Sequence, residues 1–134
     1  MTNCLYIASL QYHLLVDIRH VWEVLEIDIN NVTIMHDCRF WRGNSLRVHD
    51  LRRMLGELKP SPARIGVVYG ENESDQPVML LCDKVFGIVH HNESARLSLP
   101  HESGQITDIV DSVLPDPATG QLLYHVRQGV FGAS

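Results

Sequence analysis

Leu14-Leu15-Val16-Asp17-Ile18-Arg19-His20-Val21-Trp22-Glu23-Val24-Leu25 and Leu80-Leu81-Cys82-Asp83-Lys84-Val85-Phe86-Gly87-Ile88-Val89 say nearly the same thing twice. Each opens Leu-Leu-small-Asp and continues Val-aromatic-x-branched-aliphatic, with a spacer two residues longer in the first copy. The likeness extends outward. Both copies follow an apolar run that a turn can fold back, Leu5 to Leu10 and Ile65 to Tyr69. Both precede Gly, a polar residue and an apolar strand, Gly43-Asn44-Ser45-Leu46 and Gly120-Gln121-Leu122-Leu123. A chain that repeats one β-rich unit is expected to build two similar small subdomains with a groove between them, an arrangement that suits binding.

Apolar stretches of four to seven residues recur between turn signals, which predicts a mainly β fold. Leu5 to Leu10 with Tyr12 to Val16, and Ile65 to Tyr69 with Val78 to Cys82, read as hairpins. Leu46 and Val48 alternate with Arg47 and His49, the pattern of a half-buried strand, and Leu122 to Val126 is the last clear strand. Helix is scarce. Asp50 can cap a turn through Leu51-Arg52-Arg53-Met54-Leu55 that Gly56 ends. Val21 to Leu25 fits strand or helical turn. Lys59-Pro60-Ser61-Pro62 reads as a stiff linker. It divides a first subdomain near residues 14–60 from a second near 64–126, with exchange of segments between them suggested by the echo. Residues 129–134 are expected to fray as a flexible tail.

The chain has 134 residues, 45% hydrophobic and 20% charged, which fits one globular domain or two very small ones sharing an interface. A net charge of −5 argues against general nucleic-acid binding. No apolar run approaches the roughly 20 residues of a membrane span. The start, MTNCLYIASLQYH, does not read as a secretion signal. Three scattered cysteines, Cys4, Cys38 and Cys82, suggest a reducing cytoplasm. Charge is uneven: five of eleven basic residues lie between Arg39 and Arg53, where Asp50 is the sole acid, whereas Glu71, Glu73 and Asp75 cluster without a base. Such asymmetry can orient partners.

Arg42-Gly43, then Asp50-Leu51-Arg52-Arg53 with Leu55-Gly56, resemble the family of CheW-like chemotaxis adaptors. Val21, Glu23, Val24 and Leu25 match the upstream element of that family, and Leu80-Leu81-Cys82-Asp83 with Val85 and Ile88 match the downstream one. The resemblance spans roughly residues 4–126. It implies two five-stranded SH3-like β-barrels packed side by side, no catalytic activity and no cofactor. It further implies docking to the regulatory domain of a CheA-type histidine kinase, and a groove that receives the helical tip of a chemoreceptor. Self-association of similar barrels is also compatible with it. The stretch from Glu26 to Trp41 departs from the family pattern by lacking its Pro and Gly. Service to motility or another output is therefore an alternative within the class.

The resemblance makes Val21, Glu23, Arg42, Gly43, Arg52 and Arg53 the expected partner-binding residues. Gly43 fits a turn with positive φ. Arg42 can form a two-pronged bond to a carboxylate, and Glu23 is its expected partner. Trp22, aligned with Phe86 by the echo, is assigned to the core. Asp17 and Asp83 take equivalent places at strand ends, where a carboxylate can bind turn amides. A different class, a small metal or catalytic β protein, would draw on His36, Cys38, His90 or His91. No Cys-x-x-Cys, His-x-x-x-His or Gly-x-Ser-x-Gly supports it, so neither catalytic nor metal-binding residues are expected.

Overall fold

The structure, a computed structural model, describes residues 1–26, 38–57, 65–71, 76–100 and 106–131. Strands β1 (Thr2–Ser9) and β2 (Tyr12–Asp17) form the first expected hairpin. A 3-10 turn, Ile18–His20, leads into β3 (Val21–Glu26), so the ambiguous segment is a strand. β4 (Cys38–Trp41) and β5 (Asn44–Asp50) pair as a hairpin and lead into the short helix α1 (Leu51–Met54). β6 (Ile65–Tyr69) and β7 (Val78–Cys82) form the next hairpin, again as expected. Then come β8 (Lys84–His91), a 3-10 turn at Glu93–Ala95, β9 (Leu97–Ser98), β10 (Val110–Pro115) and β11 (Leu122–Val126). The Lys59–Pro62 linker and His36 lie outside the described residues.

Among the described residues the strands form two sheets, in the orders β8-β1-β2-β11-β10-β9 and β3-β6-β7-β5-β4. Apart from β9 the two follow one plan. A hairpin sits in the middle (β1-β2 or β6-β7), and its second strand pairs in parallel with a strand of another hairpin (β11 or β5). The outer strand on the other side is the one that follows the opposite sheet's hairpin: β3 follows β2 but joins β6, and β8 follows β7 but joins β1. The repeated sequence is thus the pair of crossovers between sheets. This partition differs from a split at residues 14–60 and 64–126. One sheet is drawn from Val21–Cys82 and the other from both flanks.

Ladder register refines the echo. The row through Glu23 continues Val68, Met79, Val48; the row through Gly87 continues Tyr6, Leu15, His125. Two rows further on, Leu25-Gly66-Leu81 matches Val89-Cys4-Asp17. Trp22 and Phe86 are therefore true equivalents, each in a bulge. Asp17 corresponds to Leu81, not to Asp83, and the apparent two-residue spacer disappears.

Neither sheet closes by backbone pairing between its outer strands among the described residues, so the expected barrels are curled sheets. Side chains mark the curl. His91 on β8 and His125 on β11 have ring centroids 6.5 Å apart. Three strand steps separate those strands, which would be about 14 Å in a flat sheet. In the other sheet Glu23 of β3 meets Arg42, beside β4 at the far edge, at 3.5 Å. Each curl holds its own apolar cluster, Cys4-Leu15-Leu114-Leu123 and Leu46-Val68-Met79-Leu81. A larger cluster lies between the sheets, joining Leu5, Ile7, Leu14 and Val16 to Val67, Tyr69, Val78 and Leu80.

The end of the chain corrects the expectation of a flexible tail from residue 129. Gly129, at φ 88°, donates its N–H to Glu71 at 2.7 Å. Phe131 is buried, with its ring edge-on to Tyr69 and beside His49. The glycine turns the chain back, and burial of one aromatic ring holds it there.

Candidate functional site

The Arg42-Gly43 turn is a two-residue hairpin loop closed by the Trp41–Asn44 pair. Its φ angles are 47° at Arg42 and 80° at Gly43, the doubly left-handed pattern whose twist matches paired strands. Glycine adopts it without strain, whereas an arginine does so at a cost of about 1–2 kcal/mol. The turn aims the Arg42 guanidinium at Glu23 on β3, so the expected pairing is present at 3.5 Å. Arg42 is 71% exposed there, and such a pair is worth only about 0–1 kcal/mol. It orients the surface more than it stabilises the fold.

Asp50 caps α1 as expected, accepting from the Arg52 N–H at 3.1 Å. Arg52 does not project outward with Arg53. Its Nε donates to Asp83 at 2.7 Å, and the Asp83 carboxylate also accepts from the Leu10 N–H at 2.9 Å. One carboxylate thereby ties α1, the β1-β2 turn and the β7-to-β8 crossover together. Bonding to Asp83 pushes the Arg52 pKa further up, so it stays a cation. Arg53 remains exposed on α1. Asp17 serves the other crossover: it accepts from the Arg19 N–H at 2.9 Å and from Arg19 Nη2 at 2.7 Å. Burial alone would raise its carboxyl, but the Arg19 bonds and charge prevail and hold it below the ordinary range.

Val21 is half-buried against the shared core, and its neighbours face outward instead. Trp22 is 42% exposed and Val24 43%; their equivalents Phe86 and Ile88 are 52% and 55% exposed. The assignment of Trp22 to the core is thus corrected. The bulge at Trp22 lifts the indole onto the sheet surface, where its N–H donates to the Gly70 carbonyl at 3.3 Å. A Cβ at Gly70 would meet the indole at 3.0 Å, so that glycine makes room for the ring. Phe86 stacks on His13 at 5.8 Å and leans on Tyr6 at 4.5 Å. Sequence reading missed these exposed pairs. Their signal is present in the apolar residues on both faces of Val21–Leu25 and Val85–Val89.

The six expected partner-binding residues do not form one patch. Glu23, Arg42 and Gly43 come together at the β3 edge; Arg52 and Arg53 lie on α1. A cavity of about 260 Å³ opens at the seam of the sheets, lined by Asp17, Arg19, Tyr69, Arg96, Asp111 and His125 among others. None of the six lines it.

Nucleophilic chemistry finds poor material. Burial pushes the Cys4 and Cys82 thiols up to about 12, so both stay protonated near neutrality. No group of three or more His, Cys, Asp or Glu among the described residues could hold a metal ion. His90 is exposed and bonds Asn3 through Nδ1, whereas its neighbour His91 points inward. No helix among the described residues is long and apolar enough to cross a membrane.

No family model and no curated protein matches the chain. Among solved structures it is similar to the scaffolding protein CheW of Thermoanaerobacter tengcongensis. The TM-score is 0.76 at 16% identity, over 99% of this chain and 94% of that one. The fold is therefore CheW-like.

Proposed function

We propose that this chain is a non-catalytic adaptor that couples a CheA-type histidine kinase to chemoreceptors. It would act in the cytoplasm and reach membrane arrays only through its partners. The observation that carries the reading is the doubled edge on a CheW-like fold. Two equivalent outer strands, β3 and β8, each expose an aromatic and an aliphatic side chain at matching positions. A molecule with two such edges can hold two partners in fixed relation. A receptor shift then changes kinase activity through the difference in binding between signalling states.

Within this reading the β3 edge, with Trp22, Val24, Glu23 and the Arg42-Gly43 turn, is one docking surface. Tryptophan and arginine, the two residue types this edge offers, are among those favoured at the centre of interfaces. The left-handed arginine adds weight, because strain at a surface turn is expected where the side chain has work to do. Arg53, exposed on α1, and the braced Arg52 belong to a separate basic patch that a partner can also reach.

The test is capture of a purified CheA-type regulatory domain by the tagged chain. The wild-type protein captures it. Arg42→Glu weakens capture at least severalfold while the circular dichroism spectrum is unchanged. Undiminished capture by that variant removes Arg42 from the surface, and no capture by the wild type contradicts the adaptor reading.

A further inference from the structure

The curl of the sheet that contains β1 and β8 has an apolar middle but a titratable end. His91 is 6% exposed at the end of β8, and neither ring nitrogen has a hydrogen-bond partner. Its ring lies edge-on to His125 of β11, centroids 6.5 Å apart. His125 Nδ1 meets Asp111 of β10 at 3.1 Å. The position that corresponds to His125 in the other sheet is Val48, so this histidine pair is not repeated there among the described residues.

The charges facing the pair come from several elements. Arg96, just beyond the Glu93–Ala95 turn, acts on both rings and disfavours protonation of each. Glu93 and the chain N-terminus act on His91 with opposite signs. Asp111 and, more weakly, Asp17 of β2 favour a proton on His125. Cys4 of β1 stays neutral, its thiol being pushed up to about 12. Burial comes first in holding each imidazole below its ordinary value. Two cations side by side in this enclosure, with Arg96 as a third, have Glu93 and Asp111 as their nearest compensation.

We infer that the His91–His125 pair is an acid-sensitive latch on the end of β8. While both rings are neutral they pack together and hold the curl shut. A proton on either places charge inside it, and the curl relieves that charge by releasing the end of β8 and the Glu93–Ser98 segment. What is released is specific. His91 pairs with Thr2 in the ladder, the Thr2 hydroxyl donates to Glu93 Oε1 at 2.6 Å, and Arg96 meets Glu93 at 3.6 Å. The sheet built from Val21–Cys82 has no part in the device.

A lowered folded pKa means that the unfolded or opened state binds protons more readily. The latch therefore contributes in full above the ordinary imidazole value of about 6.5 and is lost as pH falls below it. The consequence for partners, a changed β8 edge, rests on the proposed function; the loosening itself does not.

The experiment is histidine NMR titration of the wild-type protein together with amide hydrogen exchange, expressed as protection factors. Both rings titrate below about 6.5. Between about pH 7.5 and about pH 5.5, protection at Thr2, Asn3 and His91 drops at least tenfold, while β6 and β7 keep theirs. His91→Phe, which fills the same space without a titrating group, reduces that drop by half or more. Titration of His91 at or above the ordinary value overturns the latch. So does an equal loss of protection in both sheets, or an unchanged drop in a folded His91→Phe protein. If that variant does not fold, the wild-type titration and exchange decide alone.

Discussion

At the scale of single residues, the chemistry of the turn is the most legible part of the chain. Gly43 could be placed at a positive φ and Asp50 at a helix cap from local rules of backbone, whereas Glu23 opposite Arg42 followed only from the resemblance to the CheW-like family. Trp22 could not. Its exposure depends on a bulge, and nothing in Val-Trp-Glu-Val-Leu announces one. The turn gives a clean prediction. Nothing lies within 4 Å of a Cβ built on Gly43, so Gly43→Ala meets no clash and costs only backbone strain, about 1–2 kcal/mol. Arg42→Asn, a residue that tolerates the left-handed region, leaves thermal stability equal to or above that of the wild type while removing the guanidinium. Denaturant midpoints of the two variants check both statements. A neutral Gly43→Ala would show that the turn is not left-handed.

At the scale of elements, the hairpins were readable and the exact match between the two copies was not. A strand repeats its facing every second residue, so a slip of two leaves the inward and outward pattern intact. Leu14-Leu15-Val16-Asp17 therefore matches Leu80-Leu81-Cys82-Asp83 by eye, although the ladders match it to Val78-Met79-Leu80-Leu81. The two aspartates solve different problems as a result. Asp17 holds its own crossover through Arg19, whereas Asp83 gathers α1 and the first hairpin. Asp83→Ala strands the Leu10 N–H and the Arg52 guanidinium together, with an expected loss of about 1–3 kcal/mol. Asp83→Asn keeps an acceptor for Leu10 and loses less. Thermal melts rank the two, and equal melting of both with the wild type would deny Asp83 its role as a tie.

At the scale of the whole molecule, the doubling was legible but the ownership of strands was not. A linker rich in proline suggests a cut, yet one sheet comprises Val21–Cys82 and the other is assembled from the flanks. Sheet membership depends on long-range pairing, which local composition does not encode. The exchange of β3 and β8 has a functional side. Each outer strand is anchored in one sheet and fed from the other, so a load on either edge is carried to the core between them. That arrangement suits a chain that holds two partners at once. The decisive measurement is sedimentation velocity of the purified chain with a CheA-type regulatory domain and a soluble chemoreceptor-tip hairpin, alone and together. The account predicts a complex with each and a single faster species containing all three. Sedimentation of the chain unchanged by either partner, or partners that exclude one another completely, would contradict it.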